Sequence, residues 1–110
     1  MDKSVTYRDI LAQVVRYEGQ FQPHLVPVRI ASVCDGETGQ YLLVATGWER
    51  AKRVNYILFH ARLHDGKIVI EEDNTEEGLR DSLIQAGIAA QDILSYATAI
   101  RQTETELLAA

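Results

Sequence analysis

Apolar positions recur along this chain with two periods, and the switch between them divides it. From Val5 to Glu18, Tyr7, Leu11, Val14 and Val15 return at helical spacing, and Ile10 and Tyr17 widen the stripe. Ser4 is placed to cap that helix and Gly19 to follow its end in the left-handed manner. The run Gly19-Gln20-Phe21-Gln22-Pro23 breaks the pattern, and His24 falls in the connecting loop. Short apolar runs then follow one another between turn residues, which is the signature of strands. They predict strands over Val28–Cys34, Gln40–Gly47, Arg53–Leu63 and Lys67–Glu72. Pro27 at the head of the first run points to an edge strand, because proline cannot donate to a ladder. Asp65-Gly66 between two apolar runs is the strongest hairpin signal in the chain.

A second helix is expected after the fourth strand. Thr75 is its candidate cap, Glu76 and Glu77 fall in its first turn, Leu79, Leu83 and Ala86 form its stripe, and Gly87 ends it. Asp92 is placed to cap a short turn, and Ile93–Ala97 fits either a fifth strand or a helical turn. Residues 98–110 show no clear period. The order predicts an α+β fold: a four- to five-stranded antiparallel meander with an N-terminal helix and a C-terminal helix. No repeat, linker or low-complexity segment interrupts it, so residues 1–110 read as a single domain.

One feature of the pattern goes beyond fold class. The second and third predicted strands are apolar on both faces. Leu42 and Val44 alternate with Leu43 and Ala45, and Val54, Tyr56 and Leu58 alternate with Ile57, Phe59 and Leu63. If both helices cover one face, the other is left for a second copy of the chain, for another partner, or for the chain's own tail.

Composition narrows the setting. The chain is 46% hydrophobic and 25% charged, an ordinary globular balance. Its single cysteine, Cys34, excludes an internal disulfide and fits a reducing cytoplasm, with the thiol acting as a small buried hydrophobe near a strand end. No apolar run is long enough to span a membrane, and the start of the chain lacks the apolar core of a signal peptide. The net charge of −5 is uneven. Residues 1–55 carry seven Lys/Arg against six Asp/Glu, and residues 56–110 carry four against ten. An acidic half disfavours broad contact with phosphate backbones.

Candidate chemistry is sparse. His60 and His64 lie about 13 Å apart if both are on one strand, too far to share a metal ion. The acidic run Glu71, Glu72 and Asp73, followed by Glu76 and Glu77, is explained by a solvated strand end and a helix start. No phosphate loop, nucleophile elbow or dinucleotide fingerprint occurs, and no catalytic or metal-ligating set can be assigned. Trp48, the lone tryptophan, sits beside Gly47 at a strand end, where a core plug is the ordinary reading.

Taken together, several of these residues resemble a known family. Gln40-Tyr41, Leu43-Val44, Gly47-Trp48, Arg53-Val54, His60, Asp65-Gly66-Lys67-Ile68, Asp73, Thr75-Glu76 and Gly78 follow one another at spacings similar to the XisI family. These are excision controlling factors of the fdxN element, found largely in cyanobacteria. Gly87-Ile88 and Asp92-Ile93 match as well, as does the start, Met1-Asp2-Lys3 and Tyr7-Arg8.

The resemblance implies an accessory role in DNA excision performed by a separate recombinase. It also implies a partner of the XisH type, which looks nuclease-like. It brings neither catalytic residues nor a cofactor. The expected function is therefore a non-enzymatic regulator that binds a protein, with Glu71, Glu72, Asp73, Glu76 and Glu77 meeting a basic surface. The alternative is direct DNA contact through Arg50, Lys52, Arg53 and Arg62. An enzyme would be signalled by a cleft joining His60, Asp73 and Glu76.

Overall fold

A computed structural model describes residues 3–23 and 27–95, with side chains from Thr6 onward. His24, Tyr96, Ala97 and residues 98–110 lie outside the described residues.

The first helix, α1, spans Lys3–Glu18. It begins ahead of Ser4, which lies inside it instead of capping it. The strands follow as β1 (Val28–Asp35), β2 (Gln40–Glu49), β3 (Lys52–His64) and β4 (Lys67–Asp73). A short helix, α2 (Arg80–Gln85), and one turn of 3-10 helix over Ala90–Asp92 lead into β5 (Ile93–Ser95). The sheet order is β1-β2-β3-β4-β5. The first four strands pair antiparallel, and β5 joins β4 in parallel, which is why α2 must carry the chain back before β5 can pair. β1 is an edge, consistent with Pro27 before it.

Both helices lie on one face of the sheet. Tyr7, Leu11 and Val15 of α1 and Leu79, Leu83 and Ile88 around α2 pack in one core with Tyr41, Leu43, Phe59, Ala61, Ile68 and Ile93. Leu11, Val15, Phe59 and Leu83 are fully buried, and each such side chain contributes about 1.5–3 kcal/mol relative to exposure. Tyr17 falls outside this stripe: it is 57% exposed and packs edge-on against Phe21, with ring centroids 5.1 Å apart.

Local geometry explains where the expected boundaries shift. Gly19 accepts no left-handed backbone. Its value is size, since a Cβ there would stand 3.3 Å from that of Ser32 and 3.4 Å from Leu43. Gln22 ties the segment after α1 to β1 by accepting from the Ile30 amide (2.8 Å) and donating to the Ile30 carbonyl (3.0 Å). Asp65 and Gly66, at φ 52° and 73°, form the left-handed pair a two-residue hairpin requires.

On β3, Leu43 faces Phe59 but Val44 faces Ile57, so a bulge at Leu58 changes the alternation. Phe59 is thereby turned to the core and Ile57 to the opposite face, where simple alternation had put the two together. α2 starts four residues later than its cap candidate suggested. Gly78 at φ 80° takes the chain through a turn first, and Leu79 occupies the cap position without a side-chain bond. Thr75, Glu76 and Glu77 consequently lie in the loop before α2. At its far end, Gly87 adopts φ 121°, and the Ile88 amide donates to the Leu83 carbonyl at 3.1 Å.

Candidate functional site

The acidic stretch begins on β4 and continues into the loop before α2, and its five residues have different fates. Glu71 accepts from Arg62 Nε at 2.8 Å in a mostly buried pair. Asp73 organises the loop: one carboxylate oxygen accepts from the Thr75 amide (3.0 Å) and from the Thr75 hydroxyl, and the other accepts from the Leu79 amide (2.9 Å). Asp73 thus does the work Thr75 was expected to do. Asn74 fastens the same loop to β3, its amide donating to Leu58 and its side chain to Ile57. Glu72, Glu76 and Glu77 remain exposed. Among the described residues none of the three forms an ion pair. Glu76 and Glu77 share an open polar groove with Glu18, Thr75 and Ser82.

The basic residues are also divided. Arg50, Lys52 and Arg53 stand together and exposed at the β2–β3 turn. Arg53 donates to the Gly47 carbonyl at 3.0 Å, and its guanidinium lies 5.5 Å from the centre of the Trp48 ring. Trp48 itself is 49% exposed, not a core plug. Arg62, engaged with Glu71, stands apart from this cluster.

The sheet face away from the helices carries Val33, Leu42 and Val44 side by side, since Val33 pairs with Leu42 across β1 and β2. Val33 is 45% exposed, and Leu42 and Val44 are half-buried. His60, paired in register with Leu42, shares this face and meets Gln40 Oε1 at 2.6 Å. Asp73 pairs with the core residue Phe59, which puts it on the other face from His60. The groove at Glu76 includes neither of them. His64 and Asp65 meet at 3.3 Å in solvent. Among the described residues, no three of His, Cys, Asp and Glu converge in a way that could hold a metal ion, and no helix is long and apolar enough to cross a membrane.

Titratable groups near the β1–β2 turn, Cys34 and Asp35 among them, depart from ordinary values. Burial pushes the Cys34 thiol up, partly offset by Arg16. The Thr38 hydroxyl and then the Glu37 amide hold the exposed Asp35 carboxyl down.

Sequence reasoning missed the most elaborate polar site. Asp92, 1% exposed, accepts from the Tyr7 hydroxyl (2.6 Å) and from Lys67 Nζ (2.9 Å), while the Tyr7 oxygen accepts from the Ala89 amide (3.2 Å). This network locks α1 to the β4–β5 end of the sheet. Its role is structural, because it joins a buried carboxylate to groups on α1 and β4. The sequence signals were an aspartate opening a turn and the family spacing of Tyr7 and Asp92, neither of which pairs the two residues.

These features define a small α+β domain whose candidate chemistry lies on its surfaces. The family model described as XisI protein matches residues 1–107, and the chain belongs to that family. Among solved structures it is similar to a XisI-like protein from Anabaena variabilis ATCC 29413, at 21% identity and TM-score 0.74 over 84% of this chain and 85% of that one. It is also similar to the fdxN element excision controlling factor XisI from the same organism, at 31% identity and TM-score 0.70 over 86% of each chain. A search of curated proteins found no match.

Proposed function

We propose that this protein is an accessory factor in the excision of a DNA element and acts by binding a protein, without catalysing the reaction itself. The observation that carries the reading is the 31% identity, over 86% of both chains, to an fdxN element excision controlling factor. The partner is of the XisH type and presents a basic, DNA-handling surface. The contact is made by the exposed carboxylates of the acidic stretch, Glu76 and Glu77 from the groove beside Glu18 and Ser82 and Glu72 from the opposite face of the strand end, which are free to meet cations on a partner. Glu71 and Asp73 support that surface from behind, one through Arg62 and the other by holding the loop.

The test is capture of the XisH-type protein encoded beside this one. Retention by the parent chain and loss on reversal of Glu72, Glu76 and Glu77 to lysine supports the reading. Equal retention by the reversed protein removes the acidic surface from it.

A second copy of the chain is the proposed occupant of the sheet face that no described helix covers. Val33, Leu42 and Val44 supply its apolar centre. Sedimentation at high micromolar concentration tests this, and a clean monomer rejects it.

A further inference from the structure

The β2–β3 hairpin runs past all of its described neighbours. β1 accompanies β2 only as far as Gly47, and β4 accompanies β3 only from Phe59 onward. Every residue from Trp48 to Arg53 is exposed, and no core residue falls between Ala45 and Phe59. In a chain of net charge −5, this projecting tip carries Arg50, Lys52 and Arg53 against the single acid Glu49. Arg29, paired with Thr46, adds a fourth exposed cation on the face that holds Trp48 and Arg53. Among the described residues none of the four is neutralised by an ion pair.

Two details show order at this tip. Arg50 sits at φ 61°, a left-handed position where glycine or asparagine is the usual occupant, so a cation is held at the apex at a backbone cost. Arg53 is clamped between the Trp48 ring and the Gly47 carbonyl, which fixes its direction before any ligand arrives.

We propose that this hairpin is an arm that binds duplex DNA, entering the major groove as a two-stranded ribbon and contacting phosphates on both groove walls. The groove is about 12 Å wide and admits such a ribbon. The placement of the cations favours a duplex over an acidic peptide. Lys52 and Arg53 are consecutive on a strand and point to opposite faces, with Arg50 at the tip. A peptide laid along one face or one edge would meet only part of this set, whereas a groove presents phosphates on both sides. The guanidinium over Trp48 also occupies one ring face, which weighs against base stacking on a single strand. The contacts are to backbone and carry no base recognition of their own. The arm is independent of the protein-binding reading, since the carboxylates invoked there lie on β4 and the loop before α2.

Trp48 is the sole tryptophan, so its emission reports on the arm alone. The full chain is titrated with a 20-base-pair duplex at about 50 mM salt and then at rising salt. A saturating change in Trp48 emission is expected, with log affinity falling against log salt at a slope of about −3, as three to four neutralised phosphates require. The triple variant R50E/K52E/R53E should lose more than tenfold in affinity with an unchanged circular dichroism spectrum. Lys52→Gln alone should flatten the slope by about one unit. No response to duplex at 50 mM salt overturns the proposal, as does undiminished binding by the triple variant. A Trp48 response to polyglutamate but not to duplex also overturns it and reassigns the arm to an acidic protein. Reversal of Glu72, Glu76 and Glu77 should leave the DNA affinity undiminished, which separates a failure here from a failure of partner capture.

Discussion

Strand β2 presents two faces that are almost equally apolar and that live in different surroundings. Tyr41, Leu43 and Ala45 are each 1% exposed beneath the helices. Their neighbours Leu42, Val44 and Thr46 are half-buried on the face with no described helix above it. Residue type does not distinguish Leu42 from Leu43. What distinguishes them is whether α1 lies overhead. The covered face therefore carries the packed core of the described residues, and the other is the one that no described helix overlies.

Measurements on both faces can break or sharpen that contrast. Phe59→Ala, on the covered face, should cost about 4 kcal/mol, because the cavity beneath α1 cannot close. The urea midpoint should fall far enough to leave much of the chain unfolded, and a small shift would mean that the core is less tightly packed than described. Asp92→Ala removes the anchor shared by Tyr7 and Lys67 and should cost about 3 kcal/mol by the same assay. Leu42→Ala, on the open face, should cost only about 1 kcal/mol. Leu42→Glu should instead shift sedimentation toward monomer if a second copy sits there, and an unchanged profile argues against that occupant.

Tyr41→Phe should raise stability by up to about 1 kcal/mol, since among the described residues the buried Tyr41 hydroxyl has no hydrogen-bond partner. A lower melting temperature would mean that the hydroxyl is satisfied. The smallest effect concerns Cys34, whose pKa is raised by burial on the covered side. The folded state keeps the thiol protonated where the unfolded chain would ionise. The stabilising contribution is therefore intact below the unfolded thiol's pKa and is lost as pH rises through the folded value. Alkylation at pH 8 should accordingly run slower in the native protein than in urea, and equal rates would contradict the shift.

Much of this architecture was legible from local pattern. β1 to β4 emerged from apolar runs between turn residues, and Asp65-Gly66 named its own hairpin. The two-sided character of β2 and β3 was equally visible. Which face stays open was not, because that depends on where both helices come to rest. The start of α2 was misplaced since Thr75 looked like a cap, whereas Asp73 captures the Thr75 and Leu79 amides from two and six residues away. The three residues of β5 pair in parallel with a strand some 25 positions earlier, a non-local contact that local pattern does not report. The acidic run read as one surface, yet two of its five carboxylates are occupied internally. Arg62 fell out of the basic group for the same reason, since its partner Glu71 lies across a strand pair.

The bond between Tyr7 and Asp92 joins positions 85 residues apart. A ribosome releases the first of them early and the second only when the domain is nearly finished. Until then α1 has its apolar stripe but no polar anchor at the far end of the sheet, and Lys67 waits for the same carboxylate. Newly made chains must therefore pass through a period in which the α1 segment is synthesised but not yet fastened, and the final lock closes only after Asp92 has left the exit tunnel.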